Sequence, residues 1–124
     1  MVEPLDPGAL LARTYELPAG PRVRLRYARR SDAPALRDLL DRRGIEAGDV
    51  ALERLVRYDP TRRAVICATA PVGGTEAIVG VGAIDLGRPD AEPETLVVDE
   101  RLTQGLGELL AAALLGRARA RRVA

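Results

Sequence analysis

The stretch that decides the fold is Thr95-Leu96-Val97-Val98-Asp99-Glu100-Arg101-Leu102-Thr103-Gln104-Gly105-Leu106-Gly107-Glu108, followed by Leu109-Leu110-Ala111-Ala112-Ala113-Leu114-Leu115-Gly116-Arg117. Thr95 to Val98 is a short β-type run, and a polar turn follows it. The turn ends in Gly-x-Gly at the mouth of a Leu/Ala-rich helix. Leucine and alanine are strong helix formers, whereas glycine costs about 1 kcal/mol relative to alanine inside a helix. Two glycines in the first turn therefore need a reason. They can ease a tight strand-to-helix turn. They can also bare the backbone for an anion, because the first N–H groups of a helix lack intrahelical partners and sit at the positive end of its dipole.

Upstream of this stretch, Gly87-Arg88-Pro89-Asp90 is a turn, and Glu76 to Leu86 reads as a long strand. Gly80 and Gly82 lie inside that strand, which predicts a close approach by some other group. Val72-Gly73-Gly74-Thr75 is a hairpin signal. The continuous apolar run from Arg63 to Ala70 predicts a strand buried on both faces, and Cys67 in its middle reads as a small core residue. Tyr58-Asp59-Pro60 breaks a short helix expected from about Asp49 to Arg57, with Leu52, Leu55 and Val56 inward. Before it, Ser31 or Asp32 caps a helix that tolerates Pro34 in its first turn and ends at Gly44, with Leu36, Leu39 and Leu40 as its apolar stripe. Arg13 to Leu17 and Arg22 to Tyr27 form strand, turn, strand; Val23, Leu25 and Tyr27 alternate with three arginines. The arginine face is either a solvated edge or a phosphate platform. Residues 1–12 read as a flexible lead-in to a single domain over 13–124. Downstream, Leu106, Leu109, Leu110, Ala113 and Leu114 share one broad helix face. The arginine cluster Arg117 to Arg122 either complements the helix C-terminus or meets an anionic partner.

The composition narrows the chemistry. The 124 residues contain no His, Phe or Trp and one Cys, and every basic side chain is arginine. Nitrogen–sulfur zinc sites and histidine-dependent triads are thereby excluded, and no metal site is expected. A single cysteine gives no intramolecular disulfide and no sign of an oxidising compartment. Nineteen arginines against eighteen carboxylates leave a net charge of +1, which predicts no general attraction to nucleic acid or anionic membrane. No run is long enough to span a bilayer, and the N-terminus lacks a signal pattern, so a cytoplasmic location is expected. Any catalysis must rest on carboxylates, tyrosine, cysteine or backbone amides.

Val97, the intervening turn and Gln104-Gly105-Leu106-Gly107 before the helix resemble the acetyl-CoA signature of the GNAT superfamily of N-acetyltransferases. Leu25-Arg26, Arg29, Asp32-Ala33-Pro34 and Leu36-Arg37 are similar to the opening strand and first helix of that fold. Ile78-Val79-Gly80-Val81-Gly82 is similar to its third strand. Tyr58-Asp59, followed by an arginine and an apolar strand, brings the chain nearest to the acetyltransferase domain of bacterial protein-lysine acetyltransferases. The resemblance covers roughly residues 14–122. It implies an α+β layered fold with a mixed, mostly antiparallel sheet flanked by helices. It implies acetyl-CoA as cosubstrate, held by Val97, Val98, Leu102, Thr103, Gln104, Gly105, Leu106 and Gly107. Leu102 departs from the pattern, which places Arg or Gln there. Aligned without gaps, Glu92 falls on the strand glutamate that serves as general base, with Glu94 as second candidate.

The family continues past this helix with a strand, a further helix and a closing β-arm. The chain ends at Ala124, where that strand would begin, so a shortened domain is the expectation. The helix that usually offers a tyrosine to the leaving thiolate has no counterpart among Tyr15, Tyr27 and Tyr58. A sheet with an uncovered edge invites pairing with another copy, so a homodimer is expected. Three readings follow. The first is an acetyl-CoA-dependent N-acetyltransferase acting on an amine or protein lysine. The second is a catalytically inactive GNAT-like module that binds CoA or regulates a partner. The third is an α+β scaffold with no acyl-CoA role.

Overall fold

The computed structural model describes residues 14–18, 22–99 and 103–123, without the side chains at 95, 96, 103, 104 and 120–123. The expected lead-in over 1–12 lies outside these residues, as do Arg13 and Leu102; in the C-terminal arginine cluster the side chains of Arg117 and Arg119 are described. The strands are β1 (Thr14–Glu16), β2 (Arg22–Tyr27), β3 (Arg63–Val72), β4 (Thr75–Asp85) and β5 (Glu94–Val98). The helices are α1 (Ala33–Arg42), entered through a 3-10 turn at Arg30–Asp32, then α2 (Asp49–Val56) and α3 (Thr103–Val123). The strands lie in the order β1-β2-β3-β4-β5, and every neighbouring pair is antiparallel. The sheet, expected to be mixed and mostly antiparallel, is antiparallel throughout among the described residues. Its helices are inserted between β2 and β3 and after β5.

β3 explains why both faces need covering. Ala64, Val65, Ile66, Cys67 and Ala68 are all at most 1% exposed. Ala64, Ile66, Ala68 and Ala70 face one core with Leu106, Leu110, Ala113 and Leu114 of α3. Val65 and Cys67 face a second core with Leu36, Leu39 and Leu40 of α1 and Leu52, Leu55 and Val56 of α2. A strand with no polar face can be stable only between two helical layers, since each buried aliphatic side chain contributes about 1.5–3 kcal/mol. Burial also pushes the Cys67 thiol up to about 12, so it stays protonated and behaves as a core residue.

The glycines sit where the backbone needs them. Gly73 and Gly74 both have positive φ, 58° and 82°, as a primed two-residue hairpin turn requires. Gly44 ends α1 at φ 68°. Gly80 answers the expectation of a close approach: a Cβ there would lie 3.0 Å from a Leu110 methyl and 3.1 Å from one of Leu106. The approaching group is α3. Next to Gly80 the β3–β4 register shifts, with Ala68 opposite Gly80 but Thr69 opposite Ile78, so Val79 is an extra residue. The Val79 carbonyl accepts the Asp99 N–H at 2.7 Å, and the Ile78 carbonyl accepts Arg42 Nη2 at 3.1 Å. The irregularity therefore pins both the end of α1 and the exit of β5.

Asp32 does not cap α1 with its side chain. Its carboxylate turns back to accept the Arg29 N–H at 2.7 Å and both terminal nitrogens of Arg26, at 2.7 and 2.8 Å. It is 7% exposed. The Arg26 guanidinium, aided by the Arg29 amide and opposed by burial, holds its carboxyl below the usual range. A depressed carboxyl stabilises the fold above the unfolded value of about 3.9 and loses that contribution as pH falls through the folded value. Asp32→Asn is expected to cost about 1–3 kcal/mol at neutral pH and to flatten the acid limb below about pH 4, as read by urea titrations across pH. At the helix–sheet contact, Leu110→Ala is expected to cost about 2–5 kcal/mol and Gly80→Ala about 1–3 kcal/mol. The double variant should lose less than the sum, because the removed leucine vacates the space the new methyl enters.

Candidate functional site

β5 begins at Glu94 because Pro93 has no N–H to give the ladder. Glu92, expected on the strand, lies ahead of it in the connecting loop and is exposed. Glu94 is the first residue of the strand and forms a salt bridge with Arg63 at 2.5 Å. Val97 pairs with Val81 and Val98 with Gly80, while Glu94 pairs with Ala83. Three steps on β5 thus match two on β4. The additional residue makes a bulge in β5 between Glu94 and Val97, and a bulge leaves one residue outside the ladder. Val97 packs on the α1–α2 side and Val98 on the α3 side. With a rise of about 3.3 Å per residue, Glu94 and Val98 mark the two ends of a track roughly 13 Å long.

Beyond that track, helical hydrogen bonding starts at Thr103, ahead of the start after Gly107 that the glycines suggested. Gly105 has φ +92°, a left-handed value that absorbs the turn within the first residues of the helix and that L side chains rarely adopt. A Cβ on Gly105 would lie 2.9 Å from Pro18 Cδ. Its open side therefore faces the β1–β2 connection, where Leu17 is buried and Pro18 exposed. Backbone conformation and packing each demand glycine at this position. Leu106 is fully buried, so only its backbone is available to a ligand, and Gly107 is half-buried beside an exposed Glu108. Of the remaining candidates, Thr103 and Gln104 contribute described backbone only, and Leu102 lies outside the described residues.

At the other end of β5 the structure brings together a group that sequence reasoning missed. A cleft of about 540 Å³ is lined by Arg54, Arg62, Arg63, Asp85, Gly87 and Arg88. A second, of about 300 Å³, includes Ile45, Gly48, Leu55 and Val97 and shares Arg54 and Arg63 with the first. The cleft is built by pairing: Arg63 stands opposite Asp85 in the β3–β4 register, and the Leu86 N–H donates to the Arg62 carbonyl at 2.7 Å. The one available signal was Arg62-Arg63 at the head of an apolar strand; where Arg54 and Arg88 would land needed the tertiary fold. Tyr58 is not available for acid chemistry. Its hydroxyl donates to the Ala28 carbonyl at 2.9 Å, and burial pushes it up to about 12. Among the described residues there is no group of His, Cys, Asp and Glu able to hold a metal ion.

The fold is that of a GNAT domain. The chain superposes on the crystal structure of the GNAT domain of S. lividans PAT with a TM-score of 0.69 and 21% sequence identity, over 88% of this chain and 72% of that one. No family model matches the sequence, and no curated protein does. Likeness at this identity establishes architecture; the reaction has to be argued from the site.

Gly105→Ala is expected to destabilise the protein by about 1–3 kcal/mol through its left-handed backbone alone, with a further steric cost from Pro18. Thermal unfolding in a Pro18→Ala background should recover the steric part and leave the backbone part.

Proposed function

We propose that the chain is an acetyl-CoA-dependent N-acetyltransferase that passes an acyl group to an amine, either a small molecule or a protein lysine, and works as a dimer. The observation that carries this reading is a bulged edge strand running into a helix entered through a left-handed glycine, within a fold shared with a GNAT domain. Acetyl-CoA, when bound, supplies the thioester. The backbone amides from Thr103 to Gly107, following Leu102, are the groups assigned to its diphosphate, by the general affinity of helix N-termini for anions. Val97 and Val98 line the track for the acyl arm, and the amide freed by the β5 bulge is the donor assigned to the developing oxyanion. Glu94, or Glu92 from the preceding loop, takes a proton from the substrate ammonium directly or through water, so that the free amine becomes the nucleophile.

The proposed dimer is supported by the edge position of β5, whose outer side has no strand partner among the described residues. A cytoplasmic location accords with this reading; no described helix is long and apolar enough to cross a membrane. A second reading, a catalytically silent GNAT-like module that binds CoA or regulates a partner, is favoured by two observations. Glu94 is engaged by Arg63, and the packing against Pro18 already explains Gly105.

Calorimetry with acetyl-CoA is expected to show one saturable site per chain, and absence of heat removes both readings. Turnover with a panel of amines should fall by about 10²–10⁴ in kcat/KM when the base is replaced, tested with Glu94→Gln and Glu92→Gln separately. Binding with equally slow turnover in all three proteins leaves the silent module. Light scattering at micromolar concentration is expected to give twice the 13.3 kDa chain mass, and a monomer sinks the dimer.

A further inference from the structure

The arginine-lined cleft beside β5 has no role in the reaction as proposed so far, and its charge is unbalanced. Four guanidinium groups, from Arg54, Arg62, Arg63 and Arg88, line it together with one carboxylate, Asp85. Asp85 is already committed: its Oδ1 accepts the Gly87 N–H at 2.7 Å, and its Oδ2 lies 3.6 Å from Arg88 Nε. Glu94 answers Arg63. Arg62 is close enough to Asp59 to help hold that carboxyl below its ordinary range, behind the hydrogen bonds from Thr61. Arg54 has no ion-pair partner among the described residues; Glu53, next to it, is taken by Arg57 at 3.1 Å.

Arg63 supplies a second, independent observation. Its side chain is 16% exposed, and its Nε is buried without any hydrogen-bond partner. A buried, charged donor left unsatisfied is uncommon in native proteins and calls for a ligand, an ion or a water at that position. The cleft is rigidly framed, since the Arg62 carbonyl and the Leu86 amide lock β3 to the β4–β5 turn. Gly87, exposed and without a side chain, leaves that wall open, its N–H being held by Asp85. Guanidinium groups offer forked donors matched to planar or tetrahedral oxyanions.

We propose that this cleft binds an oxyanion group and that, resting on the acyl-transfer reading, it holds the acidic end of the acceptor. Arg54 and Arg63 also line the neighbouring cavity that reaches Val97 on β5, and Arg63 touches Glu94, a candidate base. An acceptor with its anionic group between the arginines would therefore extend its amine toward Glu94 along β5. The substrate class is an amine carrying a carboxylate or phosphate, or a lysine flanked by acidic residues. A lysine in a basic segment is disfavoured by four like charges.

The test uses the full chain labelled with ¹⁵N and titrated with inorganic phosphate, and separately with succinate, at constant ionic strength set by chloride. Saturable shifts are expected at the amides of Arg54, Arg62, Gly87 and Arg88. Binding should weaken about tenfold in the Arg54→Gln/Arg62→Gln variant, whose exposed side chains can be replaced without disturbing the core. Uniform non-saturating shifts, or unchanged affinity in the variant, overturn the site. Displacement of phosphate from the cleft by CoA overturns the acceptor role instead, since it would make the cleft a cofactor subsite. Turnover then separates the two layers. With acetyl-CoA, glutamate is expected to exceed its diamide in kcat/KM by about tenfold or more, an advantage that the variant loses. Equal rates for the two amines overturn the acceptor role. Phosphate binding with no turnover of any amine overturns acyl transfer while leaving the oxyanion site standing.

Discussion

How closely α3 can lie against the sheet is the constraint on which the architecture depends. Leu106 and Leu110 reach the backbone of β4 at Gly80, where even a methyl group would sit at the limit of contact. The same helix begins at the turn carrying Gly105 and is anchored along its length by Leu114, Ala113 and Ala118. Depth at Gly80 therefore sets the height of the helix mouth above β5. That in turn determines that Gly105 meets Pro18 of the first hairpin. A single missing side chain on one strand thus couples three parts of the chain far apart in sequence. The register shift beside Gly80 belongs to the same device: it turns the Val79 carbonyl to the Asp99 amide just as the chain leaves β5 for the helix.

Most of the layer arrangement was legible because its signals are local or periodic. The unbroken apolar run of β3 announces two covered faces, and Gly73-Gly74 announces the hairpin that follows. The stripe of Leu36, Leu39 and Leu40 announces a helix with one inward side. Apart from α3, whose helical hydrogen bonding begins at Thr103 and not after Gly107, the strands and helices fall within a residue or two of where these patterns put them. What stayed hidden was anything requiring a neighbour. Glu92 reads as a strand residue by alignment, but Pro93 delays the ladder until Glu94. Gly105 reads as an opening for a ligand; the structure shows that it also makes room for Pro18. The meeting of Arg54, Arg62, Arg63 and Arg88 comes from an α-helix, a strand start and a turn, and no spacing rule connects them.

The replacement of every lysine by arginine looks like coding bias along the sequence, yet it has different consequences at different sites. At Arg26 the planar fork satisfies Asp32 with two donors while its stem stays partly buried, a geometry an ammonium cannot reproduce. At Arg42 a terminal nitrogen reaches across to a carbonyl released by the β4 irregularity. At Arg22 and Arg57 the pairs are solvent-exposed and contribute little, as exposed ion pairs generally do. The guanidinium thus supports structure only where burial removes competing water.

Arg63 belongs to neither class, and on the proposed reading it links the sheet to the site. It is too buried to be a solvated surface charge, and while Nη1 meets Glu94 its Nε has no partner among the described residues. Its position is dictated by pairing: as the first residue of β3, opposite Asp85, it emerges where β4 turns toward β5 and where the ladder with Glu94 begins. The two ends of β5 are accordingly different electrostatic environments. One approaches the positive pole of α3, where backbone dipoles supply the field. The other is bordered by fixed guanidinium charge, with a carboxylate set against it. Under the proposed acyl transfer, a donor and an acceptor meeting along one strand need distinct handles if they are not to compete for the same ground. A sheet edge with backbone-derived positive potential at one end and arginine-derived charge at the other would provide that separation.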